Sequence, residues 1–323
     1  MKRITYFLLT LVALPSVALA HVKWFAEPEV VVPDYRLGDP FVLGAVIGAF
    51  VLVCAGIYLE KKLKVPHRLD KVIQKWAPGV LSIASIGFGL AFIIFALKGF
   101  VFAPNLPAVG NIGYLMLAIE FIAGVLMLLG FYERIGGLMV LVLFALGINQ
   151  YGGIEMLDTL EMVGFAFYII IIGRPKWKMK DWNFAKNLSH KIHSYGLPIL
   201  RVGTGLNLIV LGFTEKILTP SLTNNFLTNY DWNFMQKLGF EGFTNYYFGF
   251  YAGVVEVLFG VFFVLGLVTR TTTIALAVFL VTTLYLLGPI ELIGHLPHFS
   301  IAIVLFVLGS GTKMVLVHTK KLK

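Results

Sequence analysis

One stretch of this chain decides the fold, and it occurs twice: EFIAGVLMLLGFYER at residues 120–134 and EVLFGVFFVLGLVTR at residues 256–270. Both copies read E-x3-G-x5-G-x3-R, and almost every other position is apolar. An apolar run that ends on a basic residue is typical of a helix that crosses a membrane and ends at its cytoplasmic face. The sequence therefore predicts two equivalent membrane helices, each with a glutamate inside it.

The similarity extends well beyond these two strings. Residues 111–173 match residues 247–309 without a gap at an offset of 136, which also pairs Glu155 with Glu291. One helix earlier the offset becomes 118, so the second half has an 18-residue insertion. That offset pairs two residues in each half: Gly87 with Gly205 and Lys98 with Lys216. The sequence predicts one four-helix module present twice in the same orientation, at 79–173 and 198–309.

The composition is that of a membrane protein, with 58% apolar and 13% charged residues. Nine apolar runs approach the roughly 20 residues that a spanning helix needs. They lie at 41–59, 79–98, 111–130, 135–150, 155–173, 198–214, 248–268, 271–287 and 290–309. The predicted fold class is all-α: a polytopic membrane protein of two tandem parallel four-helix bundles plus one extra N-terminal transmembrane helix.

The first residues have the three parts of a secretory signal: Lys2 and Arg3, an apolar core, and the small-residue string Ala18-Leu19-Ala20. This pattern predicts a signal peptide at 1–20 and a mature chain that begins at His21. The rest of the chain divides into a periplasmic segment at 21–40, the extra helix at 41–59, cytoplasmic linkers at 60–78 and 174–197, and a cytoplasmic tail at 310–323.

The net charge of +9 is explained by orientation in a membrane. Of the 26 basic residues, 18 fall in the predicted cytoplasmic segments and five in the outer ones. The positive-inside rule then predicts a bacterial inner-membrane protein with a periplasmic N-terminus and a cytoplasmic C-terminus. The lipid bilayer is the predicted partner, and no nucleic acid is needed to explain the charge. Because Cys54 is the single cysteine, an internal disulfide is excluded.

The strings GFTEK at 212–216 and EVLFGVFFVLGLVTR at 256–270 resemble the DoxX and DoxD family of small four-helix membrane proteins. The resemblance covers about 79–173 and 198–309 and is stronger in the second copy. The family takes its name from a thiosulfate:quinone oxidoreductase subunit, and other members are implied to join membrane redox complexes. The resemblance thus implies a membrane component of a redox or quinone-linked complex, with quinone and redox-complex proteins as candidate cofactor and partners. Whether the chain is an enzyme stays open.

Two glutamates, Glu120 and Glu256, lie near the middle of predicted spans, where an unpaired carboxylate is costly. They form either a proton or quinone site or, as we favour, structural carboxylates bonded between helices. Lys98 and Lys216 lie at the outer ends of their helices. In one interpretation each lysine side chain extends along the helix so that its ammonium group reaches the interface. In the other, which concerns the second copy, Glu215 or Lys216 pairs with Glu291 across the outer opening of the bundle.

The segment PIELIGHLPHFS at 289–300 places Glu291, His295 and His298 at i, i+4 and i+7, which a continuous helix would stack on one face. Pro297 would kink or start a helix there. Imidazole and carboxylate suit copper or another transition metal, and a freed His21 would add an amine and a ring. The alternative function is thus a periplasmic-facing metal-binding or metal-delivery protein with a periplasmic partner. A third is a scaffold or small-solute channel.

Overall fold

The computed structural model describes Lys23, residues 31–62, residues 67–173, Met179 and residues 190–317. His21, the predicted signal peptide and most of the linker at 174–197 lie outside these residues. The described residues are all-α, with one isolated antiparallel bridge between Phe100 and Pro107.

The helices follow the apolar runs of the sequence. In the first half they are α1 (Pro40–Lys62), α2 (His67–Gln74), α3 (Ala77–Lys98), α4 (Gly110–Leu129), α5 (Glu133–Tyr151), α6 (Gly153–Leu157) and α7 (Leu160–Ile172). In the second half they are α8 (His190–His193), α9 (Gly196–Leu211), the π-helix π1 (Gly212–Ile217) that continues α9, α10 (Pro220–Asn229), α11 (Phe234–Lys237), α12 (Asn245–Leu265), α13 (Thr269–Leu287), α14 (Pro289–Gly294) and α15 (Leu296–Leu308).

Within the described residues, six helices are long and apolar enough to cross a membrane. They are Pro40–Lys62, Ala77–Lys98, Gly110–Leu129, Glu133–Tyr151, Lys191–Ile217 and Asn245–Leu265. Nine spans of this length were predicted, and three of them are not confirmed. The predicted spans at 155–173, 271–287 and 290–309 contain shorter apolar helices. In each repeat the fourth segment is broken, into α6 and α7 and into α14 and α15. A 13-residue helix is only about 20 Å long.

The second glycine of the repeated motif ends its helix in both copies. Gly130 and Gly266 have φ values of 63° and 68° and cap α4 and α12 through backbone N–H groups. Glycine takes this left-handed conformation without the steric strain that a Cβ brings. Two residues later, Tyr132 and Val268 are left-handed as well. The matching turns support the predicted duplication residue by residue.

The first glycine of the motif lets two helices touch through their backbones. A Cβ on Gly124 would lie 2.9 Å from the carbonyl oxygen of Gly89, and one on Gly260 would lie 2.5 Å from that of Gly205. The structure therefore makes Gly89 the counterpart of Gly205, an offset of 116, and the predicted offset of 118 is wrong. Matching by residue type paired two lysines that occupy different positions along their helices.

The arginine of the motif also has one role in both copies. Nε of Arg134 donates to the carbonyl of Ile170 at 3.1 Å, and Nε of Arg270 donates to that of Phe306 at 2.9 Å. These acceptors lie in the last turns of α7 and α15, where carbonyls lack partners within the helix. The arginines thus bind the ends of neighbouring helices, in addition to the orientation role expected from the sequence.

The two repeats share one core. The first repeat's α7 packs against α9, and its α3 packs against α15, while α1 packs on the outside of α12. The rings of Phe88 and Phe165 stack with centroids 3.5 Å apart inside a single cluster of buried residues drawn from both repeats. Three segments lie at the same ends of the helices: residues 31–39, the turn at 152–159 and the insertion after π1. We call these ends the insertion end and the opposite ends the linker end.

Candidate functional site: a buried polar cluster

An ion pair links π1 to α12 in the interior of the second repeat. Nζ of Lys216 lies 2.8 Å from Oε2 of Glu256 and 3.9 Å from Oε2 of Glu215, and none of the three side chains is more than 4% exposed. Lys216 and Glu215 are therefore buried, and Lys216 does not extend to the interface as a snorkelling lysine would. The pairing of Glu215 or Lys216 with Glu291 stays a prediction, because the side chain of Glu291 is not described. A π-helical turn holds more residues than an α-helical one, so it redirects Lys216 inward.

Two histidines and a further glutamate continue this polar region. Nε2 of His298 lies 3.3 Å from Oε2 of Glu161, and the rings of His295 and His298 have centroids 5.0 Å apart. Glu161 belongs to α7, so the first repeat contributes to a site made mainly by the second. All three residues are buried.

Of the two arrangements considered for Glu291, His295 and His298, the structure has the one in which Pro297 starts a new helix. The helix α14 ends at Gly294, and α15 begins at Leu296 with Pro297 in its first turn. Proline is favoured at the start of a helix because its missing N–H has no acceptor there. The break at His295 removes the single face on which the three residues were expected to lie.

A small cavity joins the lysine side to the histidine side. It is lined by Glu256, His295 and His298 together with Leu208, Leu211, Leu276 and Leu280. About 10 Å³ is open to the centre of a water molecule, which is close to the smallest space that holds one water. We call Glu161, Glu215, Lys216, Glu256, His295 and His298 the buried cluster.

The buried cluster is a concentrated set of titratable groups in a region of low dielectric constant. It contains three carboxyl groups and one ammonium group, so added protons on carboxyl or imidazole groups bring it nearer to neutrality. Uncompensated charge is costly inside a membrane protein. The arrangement can therefore hold and exchange protons.

A second charged group lies at the insertion end, in the turn between α6 and α7. Nζ of Lys23 is 2.8 Å from Asp158 and 3.2 Å from Glu155. Burial raises the pKa of Asp158 to about 6, against the effect of Lys23. Burial acts to lower the pKa of Lys23, but hydrogen bonding and charge from Asp158, with the charges of Glu215 and Glu155, leave it raised. We call Lys23, Glu155 and Asp158 the mouth group.

The corresponding glutamate of the first repeat, Glu120, has a different hydrogen-bond partner. Glu120 is fully buried, and its Oε1 accepts a hydrogen bond of 2.9 Å from the backbone N–H of Phe102 in the loop after α3. Lys98 remains exposed at the end of α3. Both glutamates are buried inside the protein, and of the two Glu256 is paired with a lysine.

No group of three or more His, Cys, Asp or Glu side chains suited to a metal ion occurs among the described residues. His21 and the side chain of Glu291 lie outside what the structure describes. The metal site of His21, Glu291, His295 and His298 therefore stays a prediction.

Sequence reasoning missed three members of the two groups. Glu161 had a readable signal, since it is an acidic residue within the apolar run LEMVGFAFYIIII of α7. Asp158 gave the same signal, because it lies inside the predicted apolar run at 155–173. Lys23 gave none, because it lies outside the apolar runs. Arg201, inside a predicted span, is also buried; its Nη2 donates to the carbonyl of Met314 at 2.6 Å.

An apolar groove of about 570 Å³ lies between α1 and the outer faces of π1 and α12. Val46, Phe50, Ile217, Val254 and Val257 are among its lining residues, and Asp34 and Tyr35 lie at its insertion end. Ile217 and Val257 directly follow Lys216 and Glu256. The groove and the buried cluster therefore lie on opposite sides of the same two elements.

The protein-family comparison matches one region of the chain. A family model described as DoxX covers residues 196–289, from the start of α9 to just past α13. No curated protein and no solved structure matches the chain. The matched range contains π1, Lys216 and Glu256, which confirms the resemblance stated for the second repeat. Residues 196–289 are a DoxX family domain.

Proposed function

We propose that this protein is a membrane component of a redox or quinone-linked complex, and that the buried cluster handles the protons that accompany quinone reduction. The observation that carries the proposal is the buried cluster itself. Ionisable groups among membrane helices are expensive, and they typically mark proton relays or substrate pathways. Reduction of a quinone to a quinol takes up two protons with two electrons, so a quinone site needs proton donors near it.

The groove between α1 and α12 supports the quinone part of the proposal. Its volume of about 570 Å³ falls in the range of small-molecule sites, and its lining is almost wholly apolar. Such a surface suits an isoprenoid tail. Only one helix layer separates the groove from Lys216 and Glu256.

The arrangement of the two modules and their orientation in the membrane are also part of the proposal. We infer two parallel modules at 79–173 and 198–309, a periplasmic insertion end and a cytoplasmic tail after signal cleavage. The matching glycine crossings and arginine contacts support the duplication. The uneven distribution of basic residues supports the orientation.

The test is to measure quinone in protein purified in lipid nanodiscs, by solvent extraction and chromatography. We expect more quinone per protein than the same membrane lipids supply alone. Val254→Trp should fill the groove and remove most of this excess. Ala118→Trp is the matched control, because position 118 is the counterpart of 254 at the offset of 136 and is exposed.

Either of two results would refute the quinone proposal: no excess quinone in the wild-type protein, or an equal loss in both tryptophan variants. The metal alternative is separated by elemental analysis of the same samples. Bound copper that is lost on removal of the His21 ring would favour it.

A further inference from the structure

We propose that the buried cluster exchanges protons with water at the insertion end, through Asp158. We call this route the inlet, and Lys23 slows the entry of protons along it. The inference deepens the proposed function and rests on its proton-handling cluster, but not on the identity of a quinone. It is carried by a series of close polar contacts that runs from a part-exposed carboxylate to the interior.

The inlet begins at the surface. Glu155 is 43% exposed at its side chain, whereas Asp158, in the same turn, is 5% exposed and lies beneath it. Oγ1 of Thr214 lies 3.4 Å from Oδ1 of Asp158 and 3.0 Å from the carbonyl of Val210, so its one proton can be donated to either acceptor. The contact with Asp158 joins the turn between α6 and α7 to π1. The next residue along π1 is Glu215, and its charge acts on both Asp158 and Lys23.

From Glu215 the contacts lead to the centre of the cluster. Lys216 lies between Glu215 at 3.9 Å and Glu256 at 2.8 Å. It can give one proton to Glu256 and take another from Glu215, so it ends the step with its original charge. A water in the small cavity can then carry a proton between Glu256 and His295, and His298 hands it to Glu161.

Within the part of the chain that the structure describes, the charged groups that act on Asp158 are Lys23, Glu155 from α6, and Glu215 and Lys216 from π1. Each of them belongs to this route or blocks it. Lys23 bridges Glu155 and Asp158, with its ammonium group 3.2 Å from Oε2 of Glu155 and 2.8 Å from Oδ2 of Asp158, and its side chain is 22% exposed. An ammonium group in this place repels an incoming proton and holds both carboxylates in ion pairs.

The other side of the cluster is closed by apolar packing. One turn along α7 from Glu161, Phe165 is buried and stacked on Phe88. At the next contact Gly164 lies against the backbone of Gly203, which leaves no space between α7 and α9. Access to the described part of the cluster is therefore from the insertion end.

The test measures hydrogen–deuterium exchange of buried carboxyl groups by infrared spectroscopy, after protein in lipid nanodiscs is mixed with heavy water. Asp158→Asn keeps the shape but cannot carry a proton, and we expect exchange at least about tenfold slower. Thr214→Val should slow it in the same direction, and Lys23→Gln should speed it several-fold. The matched control is Asp70→Asn, which removes a half-exposed carboxylate that pairs with Arg270 at the linker end.

Unchanged exchange in Asp158→Asn and Thr214→Val, or equal slowing in Asp70→Asn, would overturn the inlet. Unchanged exchange in Lys23→Gln would overturn the proposed role of Lys23 in slowing proton entry. These outcomes are independent of the quinone measurement. If the inlet variants behave as expected while no quinone is bound, the proposed function fails and the inlet stands.

Discussion

The two repeats hold the same glutamate in the same helix and give it different partners. Glu120 accepts from the backbone N–H of Phe102, whereas Glu256 faces the ammonium group of Lys216. The glycine crossing fixes where each carboxylate lies, since α4 and α12 are held against their neighbours in the same way. The segment after the first helix then sets the chemistry: a loop in the first repeat, and π1 with the insertion in the second.

A second difference lies at the start of the fourth segment. His295 and His298 replace Thr159 and Met162 of the first repeat at the offset of 136. Glu161, by contrast, is contributed by the first repeat to the cluster of the second. The second half thus contains the two histidines while the first half contributes Glu161, so the two halves do not form independent sites.

The largest difference between the repeats should appear when each glutamate site is altered. Lys216→Met leaves Glu256 buried without its cation, so we expect a loss of about 3–5 kcal/mol in unfolding free energy. Glu120→Gln keeps an oxygen that can accept from Phe102, and should cost about 1 kcal/mol or less. Unfolding in detergent, followed by circular dichroism, measures both.

The double variant Lys216→Met with Glu256→Gln serves as the control. Because it removes both charges, it should be more stable than Lys216→Met alone. Similar losses in Lys216→Met and Glu120→Gln, or no recovery in the double variant, would show that the two sites do not differ in the way proposed.

A smaller effect should come from the crossings that the repeats share. Gly260→Ala places a Cβ 2.5 Å from a backbone oxygen and Gly124→Ala places one at 2.9 Å, so both should destabilise by about 1–3 kcal/mol, the first more. Gly48→Ala in α1 meets nothing within 4 Å and should be neutral or slightly stabilising. Equal stability of all three variants in thermal unfolding would contradict the backbone contact.

Much of the fold could be predicted from the sequence. Long apolar runs predicted six of the spans, and the repeated motif predicted two equivalent helices with a glutamate inside each. That the helices end at Gly130 and Gly266, and that the motif arginines bind α7 and α15, is seen only in the structure. The breaks in the fourth segments could not be predicted, since residues 155–173 and 290–309 are apolar enough to read as continuous helices. Pro297 was the one sign of a break.

The site was harder to predict than the fold. A regular period of 3.6 residues places Lys216 at a helix end near the interface, but the π-helical turn changes the direction in which it points. No residue pattern in the sequence predicts a π-helical turn at this position. The contacts of Lys23 with Glu155 and of Glu161 with His298 are tertiary, and neither follows from spacing along the chain.

The smallest effect concerns α1, a helix with no counterpart in the first repeat. Asp39 accepts from the hydroxyl of Tyr247 at 2.6 Å and from the N–H of Phe41 at 2.8 Å, which fixes the start of α1 against α12. The bond from Tyr247 lowers the pKa of Asp39. A lowered pKa in the folded state means that the contribution is present above the unfolded value, near about 4, and is lost as the pH falls through the folded value.

Tyr247→Phe should therefore lower the thermal midpoint slightly at pH 7, and the difference from wild type should shrink as the pH falls below the unfolded value of about 4. The effect is small because Asp39 is only half-buried, so water and salt weaken the interaction. A difference that is the same at both pH values would mean that the bond to Asp39 does not hold α1. If it shrinks as expected, acid weakens the packing of α1 on α12 and so the helix that completes the groove.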